Sequence, residues 1–337
     1  MTKQIVSRRR LMAGASASLI MAPHVLQAQQ KLKVNLVSTQ GTAGLAIQEI
    51  AISQGFLADA GVEAEIITVS DASKVIASLL GNTSDLCLWS GLGGVPAAIE
   101  KGAPLKIVGG ALLFPTHAVY SSKPDIKRVS DLVGKTIGVG ALGTQLHQVM
   151  LALLRKKGID ITKVTFRNVG SSTDVFRAVV AGTVDAGPSE VDVFEQGNKY
   201  NTHALDDANL WTEVPEFTFQ AAYTNDESIA KKRPQIVRAL SAFARAYRFV
   251  QDPSSKAAWI KAYQKASGKT DEAEAITQWN FIQKYQPYSK DLILGPDRIQ
   301  FMQQLNVDLE VQKTVLPYEK VADMSLAREA IALLGNK

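Results

Sequence analysis

The sequence predicts an α/β protein of two lobes, each a largely parallel sheet covered by helices, with the chain crossing between them twice. Three observations lead there. A strand–helix–strand–helix–strand plan is written twice, parts of the two copies keep a constant offset of 100 residues, and the chain beyond Asn225 is almost wholly helical.

The first copy runs from Lys33 to about Gly94 and the second from Lys135 to about Asp192. Each opens with a short apolar strand, Val34–Val37 and Thr136–Val139, that runs into a Gly/Thr turn. A helix follows. In the second copy Leu146, Val149, Met150, Leu153 and Leu154 form one apolar stripe; Arg155, Lys156 and Lys157 suit its negative end, and Gly158 terminates it. The first copy ends its helix at Gln54-Gly55. Second strands are expected at Ala64–Val69 and Val164–Val169, each followed by a short helix. There Val75, Ile76, Leu79, Leu80 and Asp85 answer Val175, Phe176, Val179, Val180 and Asp185. Third strands start at those aspartates and end in the turns Trp89-Ser90-Gly91 and Pro188-Ser189-Glu190.

Extended segments are expected at Leu105–Ala111, Thr116–Ser121 and Phe217–Tyr223. Helices follow over Pro234–Val250, Ser254–Ala266, Asp271–Tyr285, Pro296–Val311 and Lys320–Leu334, with Pro234 in a first turn. A run of helices makes a poor separate βαβ domain and is expected to pack back on lobe one. Lobe one is then 29–117 plus 222–337, lobe two is 118–221, and the crossings near 115–121 and 217–224 form a hinge beside a cleft.

The N-terminus carries Lys3, Arg8, Arg9 and Arg10, then an interrupted apolar run to Leu26, and a possible cut after Ala28. Residues 1–28 are expected to be an export signal, and Ser7-Arg8-Arg9-Arg10-Leu11 also fits the twin-arginine kind. The chain has 37 basic and 32 acidic residues; without the signal the balance is 33 to 32. The basic charge therefore belongs to the signal and argues for neither nucleic acid nor an acidic membrane. Cys87 is the only cysteine, so no disulfide forms within the chain, and Leu86-Cys87-Leu88-Trp89 reads as a buried strand.

Gly138-Val139-Gly140-Ala141-Leu142-Gly143 fits the dinucleotide pattern G-x-G-x-x-G letter for letter. The pattern also needs an acid at the tip of the next strand, and that strand ends Asn168-Val169-Gly170-Ser171. No cofactor is expected. A strand-to-helix turn still leaves backbone N–H groups that point outward, and glycine lets a ligand approach them. In open α/β sheets ligands bind at the carboxyl ends of the strands. The candidate pocket is therefore Thr39, Gln40, Gly41, Thr42, Trp89, Ser90, Gly91, Gly143, Thr144, Gln145, Ser171, Ser172 and Glu190. Each hydroxyl taken alone has an ordinary use as a helix cap; their shared placement favours binding. Trp89 offers a stacking face, and Glu190 and Asp192 suggest an amine, amide or polar ring.

Val129-Ser130-Asp131-Leu132-Val133-Gly134-Lys135-Thr136-Ile137-Gly138-Val139 resembles the stretch entering lobe two of periplasmic solute-binding proteins of ABC transporters. Gln54-Gly55-Phe56-Leu57 with Gly61-Val62-Glu63, Gly182-Thr183-Val184-Asp185-Ala186 and Val321-Ala322-Asp323-Met324-Ser325 resemble further motifs of that family, in the same order. The subgroup is the nitrate/sulfonate/taurine type, which includes thiamine-pyrimidine-precursor binders. The resemblance implies a type II Venus-flytrap fold, a periplasmic location and a cleft that closes on a small solute. Its implied partners are a membrane permease and its ATPase, and the chain is expected to be monomeric. The turns at Thr39–Thr42, Trp89–Gly91 and Gly143–Gln145 match those that cradle anions in alkylsulfonate binders.

The same fold supports a pyrimidine-forming enzyme, and a ligand-presenting sensory module is a third class. The enzyme group carries a cysteine cluster and a modifying histidine, whereas Cys87 stands alone. His117, His147 and His203 are far apart, no H-x-x-x-H or C-x-x-C occurs, and G-x-S-x-G is absent. No catalytic residue and no metal site are expected.

Overall fold

The computed structural model describes residues 31–335, so the expected export signal lies outside the described residues. In chain order the strands are β1 (Leu32–Thr39), β2 (Val62–Val69), β3 (Leu86–Gly91), β4 (Leu105–Leu112), β5 (His117–Ser121), β6 (Thr136–Val139), β7 (Thr165–Asn168), β8 (Gly187–Glu190), β9 (His203–Asn209) and β10 (Gln220–Asn225). The repeated plan is present as read, with helices Thr42–Ser53 and Ala72–Leu80 in the first copy and Gln145–Lys156 and Ser172–Val180 in the second.

The two copies build two sheets of matching order. The first is β2-β1-β3-β10-β4, with β1 parallel to β2 and β3, and β10 antiparallel to β3 and β4. In the second, β6 pairs parallel with β7, and β5 pairs antiparallel with β8 and β9. A parallel bridge from Ile137 to Ala186 joins β6 to β8, giving the order β7-β6-β8-β5-β9. The antiparallel strand of each sheet is thus a crossing strand: β5 enters lobe two from lobe one, and β10 returns.

The offset of 100 has a physical cause at its aspartates. Asp85 Oδ2 accepts from the Asn35 amide at 2.9 Å, and Asp185 Oδ2 from the Thr136 amide at 2.6 Å. Each carboxylate pairs with a lysine beyond the crossing strand: Lys232 at 2.8 Å for Asp85, Lys123 for Asp185. Each aspartate carbonyl accepts from a hydroxyl on the crossing strand, Thr224 in lobe one and Ser121 in lobe two. The aspartate thereby fastens the first strand of its copy to the crossing strand.

The C-terminal helices differ from expectation in two places. Helix Asp226–Val250 starts eight residues early, capped by Asn225, and bends at Lys232 (φ −131°, ψ 26°) just ahead of Pro234. The last segment splits into Tyr318–Val321 and Ser325–Ala332, because Ala322 and Asp323 bond to Ile107 at the edge of the first sheet. Strand β9 was not expected. Arg298, from helix Pro296–Asp308, donates to the carbonyls of Leu113 at 2.6 Å and Pro215 at 3.0 Å, holding the approaches to both crossings together.

Replacing Asp85 strands the part-buried Asn35 amide and the Lys232 ammonium. Asp85→Ala is expected to cost about 3 kcal/mol. Asp185→Ala, where Lys123 keeps more solvent, should cost less. Urea unfolding of the two variants measures both costs.

Candidate functional site

Four inner strands, β1, β3, β6 and β8, each run into a helical turn. The helices that start at Thr42, Gly94, Gln145 and Val191 have no side-chain cap. The helices after the edge strands β2 and β7 are capped, by Asp71 and by Ser171 in a capping box with Asp174. The inner starts at Thr42, Gly94 and Gln145 therefore lack a side-chain acceptor for their first N–H groups, whereas the edge starts have one. Thr144 is expected to cap its helix, but its hydroxyl turns back to the Ala141 carbonyl at 2.6 Å.

The glycines of the G-x-G-x-x-G stretch have packing and turn roles. A side chain at Gly138 would press on Val184 at 3.1 Å, and one at Gly140 on Thr144 Oγ1 at 3.2 Å. Gly143 holds φ +80°, in the left-handed region. Its amide donates to His147 Nδ1 at 3.0 Å, and His147 packs edge-on against Phe166.

The structure brings several candidate residues together. The Thr39 hydroxyl donates to the Trp89 carbonyl at 3.2 Å, while Gln40, Gly41 and Thr42 continue that turn into the helix over which the Trp89 indole packs at Gly44. From lobe two, Gln145 reaches lobe one and the second crossing. Its amide donates to the Phe219 carbonyl, its Oε1 accepts from Gln220 at 3.3 Å, and it fills the space beside Gly91. One turn on, Gln148 donates to Asn306 at 2.8 Å, and Asn306 donates to the Gly93 carbonyl. Ser172 and Glu190 meet at 3.4 Å, whereas Ser171 is occupied as a cap.

Other residues complete this region without having been singled out for binding. Trp89 lies 5.8 Å, ring to ring, from Tyr288, which stacks on Tyr247. His117 pairs with Glu190 across β5 and β8 and packs on Phe219 at 4.6 Å. Among the described residues, buried side-chain polar atoms without a hydrogen-bond partner gather here at His117 Nδ1, Glu190 Oε2, Gln220 Oε1 and Tyr288 OH. The Tyr223 hydroxyl lies close enough to the Ser90 hydroxyl to pair with it. Each such atom costs about 1–3 kcal/mol while it stays unpaired.

Electrostatics single out Glu190. Burial of its carboxyl holds it well above the ordinary carboxylate range, and Asp192 adds repulsion, against a small opposing effect of Ser172. Asp192 is raised by burial too, although the Tyr263 hydroxyl, from lobe one, donates to it at 2.6 Å. His117 is pushed down to about 3 by burial, so it is neutral.

A family model described as NMT1/THI5 like matches residues 46–257, more than half of the chain. The chain belongs to the NMT1/THI5-like family. Solved structures extend the likeness in fold. The alkanesulfonate-binding protein SsuA from Xanthomonas axonopodis pv. citri, bound to MOPS, is 17% identical with TM-score 0.68 over 90% of this chain and 99% of that one. The periplasmic nitrate-binding protein NrtA from Synechocystis PCC 6803 is 12% identical with TM-score 0.71, over 91% and 90%. DSZB in complex with biphenyl-2-sulfinic acid is 15% identical with TM-score 0.62, over 89% and 99%. The fold is thus the two-lobed periplasmic-binding-protein fold that the sequence motifs resemble. A comparison with curated protein sequences finds no match.

Within this NMT1/THI5-like chain, Cys87 is buried in β3 and its thiol is pushed up to about 12 by burial. It is therefore not a ready thiolate. Among the described residues no group of three or more His, Cys, Asp or Glu could hold a metal ion, and no helix is long and apolar enough to cross a membrane.

The raised Glu190 fixes a sign. The folded state holds a proton that the unfolded chain releases near the ordinary value of 4.5. Its stabilising effect is complete below that value and is lost as pH rises toward and through neutrality. Glu190→Gln is expected to flatten the fall of melting temperature between about pH 5 and pH 8 and to raise it at pH 8 by about 2 °C or more, read by calorimetry.

Proposed function

We propose that the chain is the exported substrate-binding component of an ABC importer, which captures a small polar solute between its lobes and does not transform it. The observation that carries this reading is the set of partnerless buried polar atoms gathered where inner strand ends and crossings meet. Lobe one is 29–117 plus 222–337, lobe two is 118–221, and the two crossings act as the hinge. Uncapped helix starts at Thr42, Gly94 and Gln145 supply amide donors, while Ser90, Thr144, Ser172 and Glu190 supply side-chain partners.

The structural relatives named as alkanesulfonate-binding and nitrate-binding proteins support solute capture by this fold. The partners that follow are a membrane permease and its ATPase, the location is periplasmic, and the working form is a monomer. The enzyme reading would need an activated nucleophile, and the buried Cys87 thiol does not supply one.

A ligand well above its dissociation constant stabilises the protein by RT ln(1 + [L]/Kd). A thermal-shift screen of the protein lacking residues 1–28 against sulfonates, nitrate, amines and heteroaromatic compounds should yield a binder that is recovered unchanged. Turnover of that binder would support the enzyme reading. Ser90→Ala and Thr144→Ala should each weaken its affinity about 3- to 10-fold, the worth of one hydrogen bond, by titration calorimetry. Unchanged affinity in both would displace the site. Saturation should also lower the radius of gyration in solution scattering, and an unchanged radius would count against the hinge.

A further inference from the structure

A cavity of about 600 Å³ opens on the flank of helix Gln145–Lys156. Of the candidate pocket residues it shares only Gly143. Leu142, Leu151, Ile161 and Phe166 line one wall, and Leu309 and Val311, beyond helix Pro296–Asp308, line the other. Of these six only Leu151 is buried; Leu142 is 62% exposed and the rest are half-buried. An apolar cavity of this size is in the range that small molecules fill.

The two walls are held in place. The Arg155 guanidinium spans the gap to Asp308, donating to its carboxylate and, at 2.9 Å, to its carbonyl. Glu310 takes a left-handed turn at φ +58°, and the Val311 amide donates back to the Asn306 carbonyl at 2.9 Å. That tight helix end brings Leu309 and Val311 to the cavity.

The polar lining selects the occupant. The Gly143 amide donates to His147 Nδ1, so the neutral ring carries its hydrogen on Nε2, and burial favours the neutral ring. Among the described residues that is the one hydrogen bond of the ring, which leaves the Nε2 N–H to donate. The charged groups of the lining are the carboxylates of Asp308 and Glu310. An anion would meet both of them and lose its hydration, and a cation would meet the Nε2 donor. A neutral ring system covers the apolar wall and loses little.

We propose that this cavity is a second ligand site, separate from the solute site, and that it takes a neutral aryl compound of two or three rings. One carbonyl or ether oxygen of that compound accepts from His147 Nε2. The proposal does not rest on the solute-binding reading.

Benzophenone is a suitable probe, being neutral, with one carbonyl, and inserting into nearby C–H bonds when irradiated. Photolabelling of the protein lacking residues 1–28, mapped by peptide mass spectrometry, should be saturable and fall within 142–151, 161–166 or 308–311. In ligand-observed NMR titrations, diphenylmethane, which lacks the oxygen, and 4-benzoylbenzoate, an anion, should each bind about 5-fold or more weakly than benzophenone. His147→Phe keeps a ring and removes the donor, and should weaken benzophenone about 3- to 10-fold. Leu309→Trp, at a half-buried position, narrows the cavity and should abolish the labelling; an unchanged melting temperature checks that each variant is folded. Labelling confined to the surroundings of Trp89 and Tyr288 would put the probe in the solute cleft and overturn the proposal. So would the absence of saturable labelling, equal binding of diphenylmethane, or unchanged affinity in both variants.

Discussion

Each sheet is completed by a strand that the chain carries in from the other lobe. β10 lies between β3 and β4, and β5 lies between β8 and β9. These are antiparallel insertions in otherwise parallel sheets, and the two aspartate–lysine fastenings hold them in register. Everything near the site hangs on this arrangement. His117 opens one crossing strand and Gln220 the other, so the partnerless atoms of both sit where the lobes exchange chain.

The repeated plan was legible because strand and helix periods differ and each copy writes both. Asp85 and Asp185 were visible as a matched pair, but their task was not, since the lysines and hydroxyls they engage come from outside the repeat. β9 escaped notice because it is an edge strand whose sequence, His-Ala-Leu-Asp-Asp-Ala-Asn, carries charges that blunt pairing rather than an apolar alternation. The last helix was read as continuous because its break is imposed by tertiary bonding of Ala322 and Asp323 to Ile107, which no local pattern records.

Of the candidate residues, Gly91 and Gln145 at inner strand ends proved to be neighbours, and Ser172, after the edge strand β7, meets Glu190. Ser171 has the plain task of a cap. The ring group of Tyr247 and Tyr288 was beyond sequence reading, because those residues lie more than 150 positions from Trp89 and meet it only through folding. The signal that could have raised them is modest: tyrosines amid apolar sequence, Tyr247 in a helix and Tyr288 in an extended stretch, whose hydroxyls need partners. In the glycine stretch, close packing on Val184 and a left-handed turn at Gly143 give two of the glycines structural tasks.

The place of β10 in the first sheet also governs the order in which the molecule can be assembled. Lobe two holds all its strands between residues 117 and 209, so its sheet can close as soon as that stretch is available. Lobe one has β1 to β4 early, yet β3 and β4 share no border until residues 220–225 arrive. A chain halted before that point presents open strand edges on both sides of an unfilled gap, which invite pairing with other chains. The lobe that comes first in sequence is therefore the one that finishes last, and its unfinished state is the hazard of its synthesis.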